Sequence, residues 1–131
     1  AFVSDPFQFG HSEVVRRVSA RSAEVSVSVI SVEEQLSGWY TRLRRAKKID
    51  EQARAYLLLA KCAESLAGFP VRTYSAAAIT HHSQLRRTVA GVGSKDLAIA
   101  AIALEHGAIV VTRNMRDFQR VPGLIVEDWS Q

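Results

Sequence analysis

Cysteine is nearly absent from the 131 residues, which contain only Cys62. A single thiol excludes an intramolecular disulfide framework and a multi-cysteine zinc site. Within the helical pattern Tyr56-Leu57-Leu58-Leu59-Ala60-Lys61-Cys62 it reads as a small buried apolar residue. Histidine is also sparse and dispersed. His81 and His82 are neighbours that point in different directions on a helix, and His11 and His106 stand alone, so all four read as structural or surface groups. No apolar run approaches the roughly 18 residues that cross a bilayer, and no basic-then-apolar segment opens the chain, so a soluble, cytoplasmic protein without a membrane partner is expected. No Gly-x-Gly-x-x-Gly or Gly-x-x-x-x-Gly-Lys-Ser/Thr loop follows a strand, which argues against a nucleotide-cradling domain. Repeats, low-complexity stretches and linkers are missing too. With 47% hydrophobic and 23% charged residues, residues 1–131 are expected to form one domain around one core.

What is present is a mildly basic chain, net charge +4 with a pI near 9.6, whose cations are clustered. Arg42, Arg44, Arg45, Lys47 and Lys48 form one run, and Arg86 and Arg87 a second. Lys95, Arg113, Arg116 and Arg120 surround acidic residues. A run like the first is ordinarily a solvated helix face, whereas cations beside carboxylates could hold a phosphate chain over a metal site.

Strand and helix signals alternate. Phe2-Val3-Ser4 is a short apolar strand, Ser12 caps a helix through Val18, and Val25 to Ile30 alternates with β-branched residues as a strand does. Ser31 with Glu34 has capping-box spacing for a helix running through Trp39 and Leu43. Asp50 caps the next helix, with Ala53, Leu57, Ala60 and Ala63 as its apolar stripe, until Gly68 and Pro70 end it. The run Leu57-Leu58-Leu59, with Tyr56, is read as core in preference to a dimer surface. Val71 to Tyr74 is a weak strand, Ser75 caps a helix through Leu85 and Val89, and Gly91-Val92-Gly93 breaks it. Ser94 caps an Ala/Ile/Leu-rich helix to His106, Gly107 takes the left-handed closing position, and strands follow at Ala108 to Thr112 and Leu124 to Val126. Strands separated by helices predict a three-layer α/β/α sandwich around a mostly parallel sheet.

In such sheets ligands bind beyond the C-terminal strand ends. This selects Asp5 after the first strand, Glu33 and Glu34 after the second, and Asn114 and Asp117 after Val110-Val111-Thr112. Asp96 lies in the first turn of a helix, and helix geometry alone does not bring it to that edge. Converging carboxylates repel unless a hard cation such as Mg²⁺ or Mn²⁺ sits among them, where it can activate water and neutralise an attacked phosphodiester. Each acid also has a capping use worth roughly 0.3–1 kcal/mol, Glu34 with Ser31, Asp96 after Ser94 and Asp117 after Asn114. Spacing leaves both readings open.

The elements Gly-Ser-x-Asp-Leu-x-Ile-Ala-Ala, Leu-x-His-Gly, Val-Thr-Arg-Asn-x-x-Asp-Phe, Val-Pro-Gly-Leu and Glu-Asp-Trp between Gly93 and Trp129 resemble the C-terminal half of a PIN-domain protein of the VapC toxin type. Ser31-Val32-Glu33-Glu34-Gln35-Leu36-Ser37-Gly38-Trp39 is similar to that family's second acidic motif, so the resemblance covers the chain from about residue 9. It implies a metal-dependent endoribonuclease of a toxin-antitoxin pair, with Asp5, Glu34, Asp96 and Asp117 as catalytic acids holding Mg²⁺ or Mn²⁺. Asn114 would join them directly or through water, and Glu33 would face away. Ser94, Thr112, Arg113 and Arg116 would face or support the RNA phosphates. The implied partners are an RNA substrate, a small antitoxin (VapB-like or other) whose C-terminal segment lies in the acidic groove, and a second copy in a homodimer.

The N-terminus departs from the family pattern. Asp5 stands at a strand end, but Pro6-Phe7-Gln8 follows where Thr or Ser and then Asn or Asp are usual, and the sequence starts at Ala1 instead of Met, which allows for a missing segment. This departure motivates the alternative, a PIN-like RNA-binding or protein-interaction module without cleavage.

Overall fold

The computed structural model describes the backbone of Phe2–Ser4 and residues 12–130. Asp5 lies outside the described residues. The elements run β1 (Phe2–Ser4), α1 (Ser12–Ala20), a 3₁₀ turn (Ser22–Glu24), β2 (Val25–Ser28), α2 (Val29–Arg45), α3 (Ile49–Ala67), β3 (Val71–Arg72), α4 (Ala76–Thr88), α5 (Ser94–Glu105), β4 (Ile109–Val111), α6 (Met115–Phe118) and β5 (Val126–Glu127). The strands lie side by side as β3-β2-β1-β4-β5, and every neighbouring pair is parallel.

Both faces of this sheet are covered, because successive strand residues point to opposite sides. In β4, Val110 packs into a cluster with α2, α4 and α5, while Ile109 and Val111 join Val14 and Val18 of α1 and Trp129. The expected three layers follow. Central to the larger cluster is α5, buried without a break from Leu97 to Ala103. Leu97, Ile99 and Ile102 each contribute about 1.5–3 kcal/mol by leaving water. The helix closes as its sequence requires: Gly107 adopts φ 60, Ala108 N–H donates to the Ala103 carbonyl at 2.8 Å, and Gly107 N–H to Leu104 at 3.3 Å. This is the double bond pattern of a glycine-terminated helix.

Several boundaries differ from expectation, each for a physical reason. The second strand stops at Ser28, and α2 begins at Val29 instead of after Ser31. Ser28 Oγ accepts from Ser31 N–H at 3.0 Å and lies 2.8 Å from Ser31 Oγ. The cap therefore sits three residues earlier, and the capping-box position falls on Ser31 instead of Glu34. Ser26 and Ser28, polar in the alternating pattern, are buried with Val25 and Val27, as a sheet covered on both faces demands. Helix α3 is capped by Lys48 without a side-chain bond, and Asp50 stands inside its first turn. Its buried face is also not the expected stripe. Ala55 and Leu66 are buried while Ala53, Ala60 and Ala63 are exposed, and Tyr56 and Leu57 expose 63% and 54% of their surface. The reading of Tyr56 and Leu57 as core is thus overturned. Cys62 is half-buried, its thiol 3.8 Å from Gln35 Oε1. The final strand is β5, not Leu124 to Val126, although Val110 N–H does bond the Ile125 carbonyl at 3.0 Å.

On α1, Glu13 is clasped by Arg16 (2.7 Å) and Arg17 (3.0 Å). Chiefly through its bond with Arg16, its carboxyl is lowered from an ordinary 4.5 to about 2. The folded form holds that proton less tightly than the unfolded chain, so the clasp's stabilisation is complete above about pH 4.5 and is lost as pH falls towards 2. A carboxyl-carbon NMR titration of Glu13 should give a midpoint near 2. An ordinary midpoint would show that the clasp does not persist in solution. Ser28→Ala, which strands the buried Ser31 N–H, should lower the unfolding free energy in urea by about 2 kcal/mol with an unchanged m-value.

Candidate functional site

The strand order reverses at β1, since the chain adds β2 and β3 on one side and then β4 and β5 on the other. Beyond the C-terminal strand ends, such a reversal is where parallel sheets usually open a crevice for a ligand. Ser4 is in register with Val27 on one side and Val111 on the other. The C-terminal ends of β2 and β4 are therefore level with each other on either side of Ser4.

Thr112 follows β4 and is fully buried. Its Oγ1 accepts the Asn114 N–H at 2.9 Å, folding the chain sharply into α6. Asn114 caps α6 with no side-chain bond to the helix backbone. Its Nδ2 instead donates to Asp117 Oδ2 at 3.1 Å. A carboxylate has about four lone-pair positions, so Asp117 keeps acceptor capacity after this bond. Asn114 and Asp117 are thus in direct side-chain contact.

Asp96 occupies the first turn of α5, half-buried. Gly93, not Ser94, is the N-cap. Ser94 is the first helical residue, and its carbonyl and Oγ lie 3.0 and 3.3 Å from His82 Nε2. Two contacts tie this helix start to the other acid-bearing elements. Lys95 Nζ bonds Glu33 Oε1 of α2 at 2.5 Å. Arg120, just beyond α6, donates to the Ala90 carbonyl at 3.2 Å and lies over Gly91, where an added Cβ would stand 2.1 Å from its Nη1. With φ +79, Gly91 is suited to glycine on both counts.

Glu33 thus turns to Lys95 while Glu34, half-buried, occupies the next position of α2. The Lys95 ammonium is held above its ordinary value first by the Glu33 hydrogen bond and further by the charges of Glu33 and Glu34. Burial pushes the nearby Tyr74 hydroxyl up, against the influence of Lys95 and Arg86. Of the four cations expected to hold phosphate, Lys95 and Arg120 are committed to these internal contacts. Arg113 and Arg116 are exposed and take part in no ion pair among the described residues.

Among the described residues no three His, Cys, Asp or Glu side chains form a group able to hold a metal ion. Glu34, Asp96 and Asp117 do not make that group by themselves, and the fourth expected acid, Asp5, lies outside the described residues. All the expected donors are carboxylate or amide oxygens, the hard ligands that Mg²⁺ and Mn²⁺ take. Sequence reasoning missed the buried Ser28 and Ser31 pair, the His82 clamp on Ser94 and the Arg120 tie. Only the first left a signal, a second serine three residues before Ser31. Removing the Thr112 hydroxyl in Thr112→Val should speed hydrogen exchange of the Asn114 amide several-fold while core amides keep their protection.

Comparison with known proteins places this geometry. The family model described as the PIN domain matches residues 7–124. The chain is 48% identical over 64 residues to the tRNA(fMet)-specific endonuclease VapC of Shigella flexneri, an alignment covering 46% of this chain and 48% of that protein. It is 26% identical over 121 residues to ribonuclease VapC2 of Haemophilus influenzae strain Rd, covering 89% and 84%. The chain spans about half the length of the Shigella relative it matches. Among solved structures, DNA-bound VapBC from Salmonella typhimurium superposes with a TM-score of 0.79 at 28% identity, over 98% of this chain and 97% of that one.

Proposed function

The chain belongs to the PIN-domain family, and on that premise we propose that it is a VapC-type endoribonuclease that hydrolyses RNA phosphodiester bonds with Mg²⁺ or Mn²⁺. A cognate antitoxin would restrain it, and it would work as a homodimer. The observation that carries this reading is that three acid-bearing helices, α2, α5 and α6, follow or are tied to the strands that flank the strand-order reversal. Glu34 follows β2, Asp117 follows β4, and Asp96 is tied to both neighbourhoods through Lys95 and Arg120. The likeness to the VapC ribonucleases supports the same reading.

In this scheme Asp5, Glu34, Asp96 and Asp117 hold the cation, with Asn114 beside Asp117. When bound, the divalent ion supplies activation of water and neutralisation of the phosphate charge. The chain's own residues do the rest. Thr112 fixes the Asn114 backbone and so the angle at which Asp117 is presented. Lys95 draws Glu33 aside, leaving Glu34 as the α2 acid for the site. Arg113 and Arg116 bind and orient the strand through its phosphate oxygens, and Ser94, held by His82, offers a hydroxyl to the same strand.

Asp96→Asn keeps the size of the side chain and removes its charge. It should lower the rate of Mn²⁺-dependent RNA cleavage at least about 100-fold, measured on structured and single-stranded RNAs, and reduce the rise in melting temperature that Mn²⁺ gives the wild type. Equal cleavage by the two proteins at equal stability would remove Asp96 from the chemistry.

A further inference from the structure

A second cationic feature lies away from the acids and takes no part in the scheme above. Where α2 ends and α3 begins, Arg42, Arg45, Glu51, Arg54, Ala55 and Leu58 line a cavity of about 360 Å³. Three arginines contribute to its lining. None of them belongs to an ion pair among the described residues, whose ion pairs are those of Glu13, Glu24 and Glu33. The one acid of the lining, Glu51, already accepts the Lys47 backbone N–H at 3.2 Å. Arg42 is steadied by its guanidinium lying 5.0 Å over the Trp39 ring, and Arg44, Lys47 and Lys48 add exposed positive charge to the same stretch of chain.

The approach from the acids to this cavity is marked by Gly38. Glu34, Gly38, Arg42 and Arg45 follow one another at steps of four, four and three residues, which places them on one ridge of α2. At 1.5 Å per residue the arginines lie roughly 12–17 Å along the helix from Glu34. Glycine is a poor helix former in mid-helix, and neither of its usual justifications applies at Gly38. Its φ is not positive, and an added Cβ would meet no atom within 4 Å. Nothing described within the chain occupies the space above it. On this ridge glycine leaves an open track of backbone between a carboxylate and a set of arginines.

We propose that the Arg42, Arg45 and Arg54 cavity is a phosphate-binding subsite for the RNA strand, gripping its backbone a few nucleotides from the bond cut at Glu34 and Asp96, with Gly38 letting the strand pass close to α2. The inference depends on RNA being the substrate. Arginine suits the task because its planar fork binds phosphate oxygens in pairs. Three unneutralised guanidiniums around one concavity favour a polyanion over a peptide with isolated acids.

The test uses the full chain carrying Asp96→Asn, so that the RNA stays intact, and a fluorescein-labelled single-stranded RNA of mixed sequence. Binding is followed across a KCl series. Adding Arg42→Gln, Arg45→Gln and Arg54→Gln together should weaken binding at least tenfold at low salt. It should also flatten the plot of log affinity against log salt by about 2, the loss of three phosphate contacts on a single strand. Gly38→Leu should weaken binding as well while leaving the melting temperature unchanged or raised, because leucine is the better helix former. An unchanged salt slope in the triple variant overturns the proposal. So does a loss of affinity confined to an acidic peptide, which would make the cavity a protein-docking site. Cleavage by the protein with Asp96 intact separates the two readings. If it cuts RNA and the arginine variant cuts and binds equally well, the subsite fails and the nuclease stands. If it never cuts RNA but the arginines still control the salt slope, the subsite stands and the nuclease fails.

Discussion

Because α5 is apolar around its whole circumference from Leu97 to Ala103, it must be covered on every side, and the rest of the molecule is arranged to do so. The sheet covers it through Val110, α4 through Ala78 and Leu85, and α2 through Ile30. With nothing polar along its middle, the helix can slide or rotate only by exposing buried surface, at about 25 cal/mol for each Å² of apolar area. Its N-terminus is held by the same restriction. Asp96 sits one residue before the first buried residue, Leu97, so its carboxylate is located by core packing and needs no flexible loop.

The acids are otherwise joined by polar ties that stand outside the core. Lys95 spans from α5 to α2, Arg120 from the end of α6 to the turn before α5, and Thr112 from β4 to Asn114. These contacts differ in worth. The Lys95 and Glu33 side chains are both more than half exposed, so solvent screening leaves that pair a small share of the stability. Its value is directional, since it turns Glu33 towards the start of α5. Thr112 is fully buried, and its hydroxyl would be costly to strand there, so the turn into α6 is the stiffest of the three.

Much of this was legible in the sequence, for identifiable reasons. Period-two and period-3.6 patterns located the strands and helices, and Gly107 and Ser75 named their own roles because a left-handed closure and a side-chain cap have few chemical solutions. The caps at Ser31 and Ser94 were misplaced because several residues in a row can serve, and packing chooses among them. Ser28 wins since it lies at the end of a buried strand whose last polar group needs a partner. At α5, Gly93 takes the cap while the Ser94 hydroxyl turns to His82. The exposed Tyr56 and Leu57 were unreadable for the opposite reason. A leucine run has the same appearance whether it is covered by its own chain or by another molecule, and α3 has apolar residues on more sides than its own chain covers.

The distribution of charge joins these levels. The ordered ion pairs among described residues use Glu13, Glu24 and Glu33, all away from the strand-end crevice except the last, which borders it. Glu34, Asp96 and Asp117 are half-buried acids that none of those ion pairs includes, and Arg42, Arg45 and Arg54 are exposed cations in the same situation. A sequence under selection for stability alone could bring acids and arginines together across α2, where charges four residues apart attract. Here Glu34 stands eight and eleven residues before Arg42 and Arg45 on α2, with Gly38 between them. Separation of this kind forgoes local attraction along the ridge and leaves the helical hairpin between α2 and α3 net positive. A net positive surface attracts polyanions at long range, which is the steering that the proposed RNA grip would exploit.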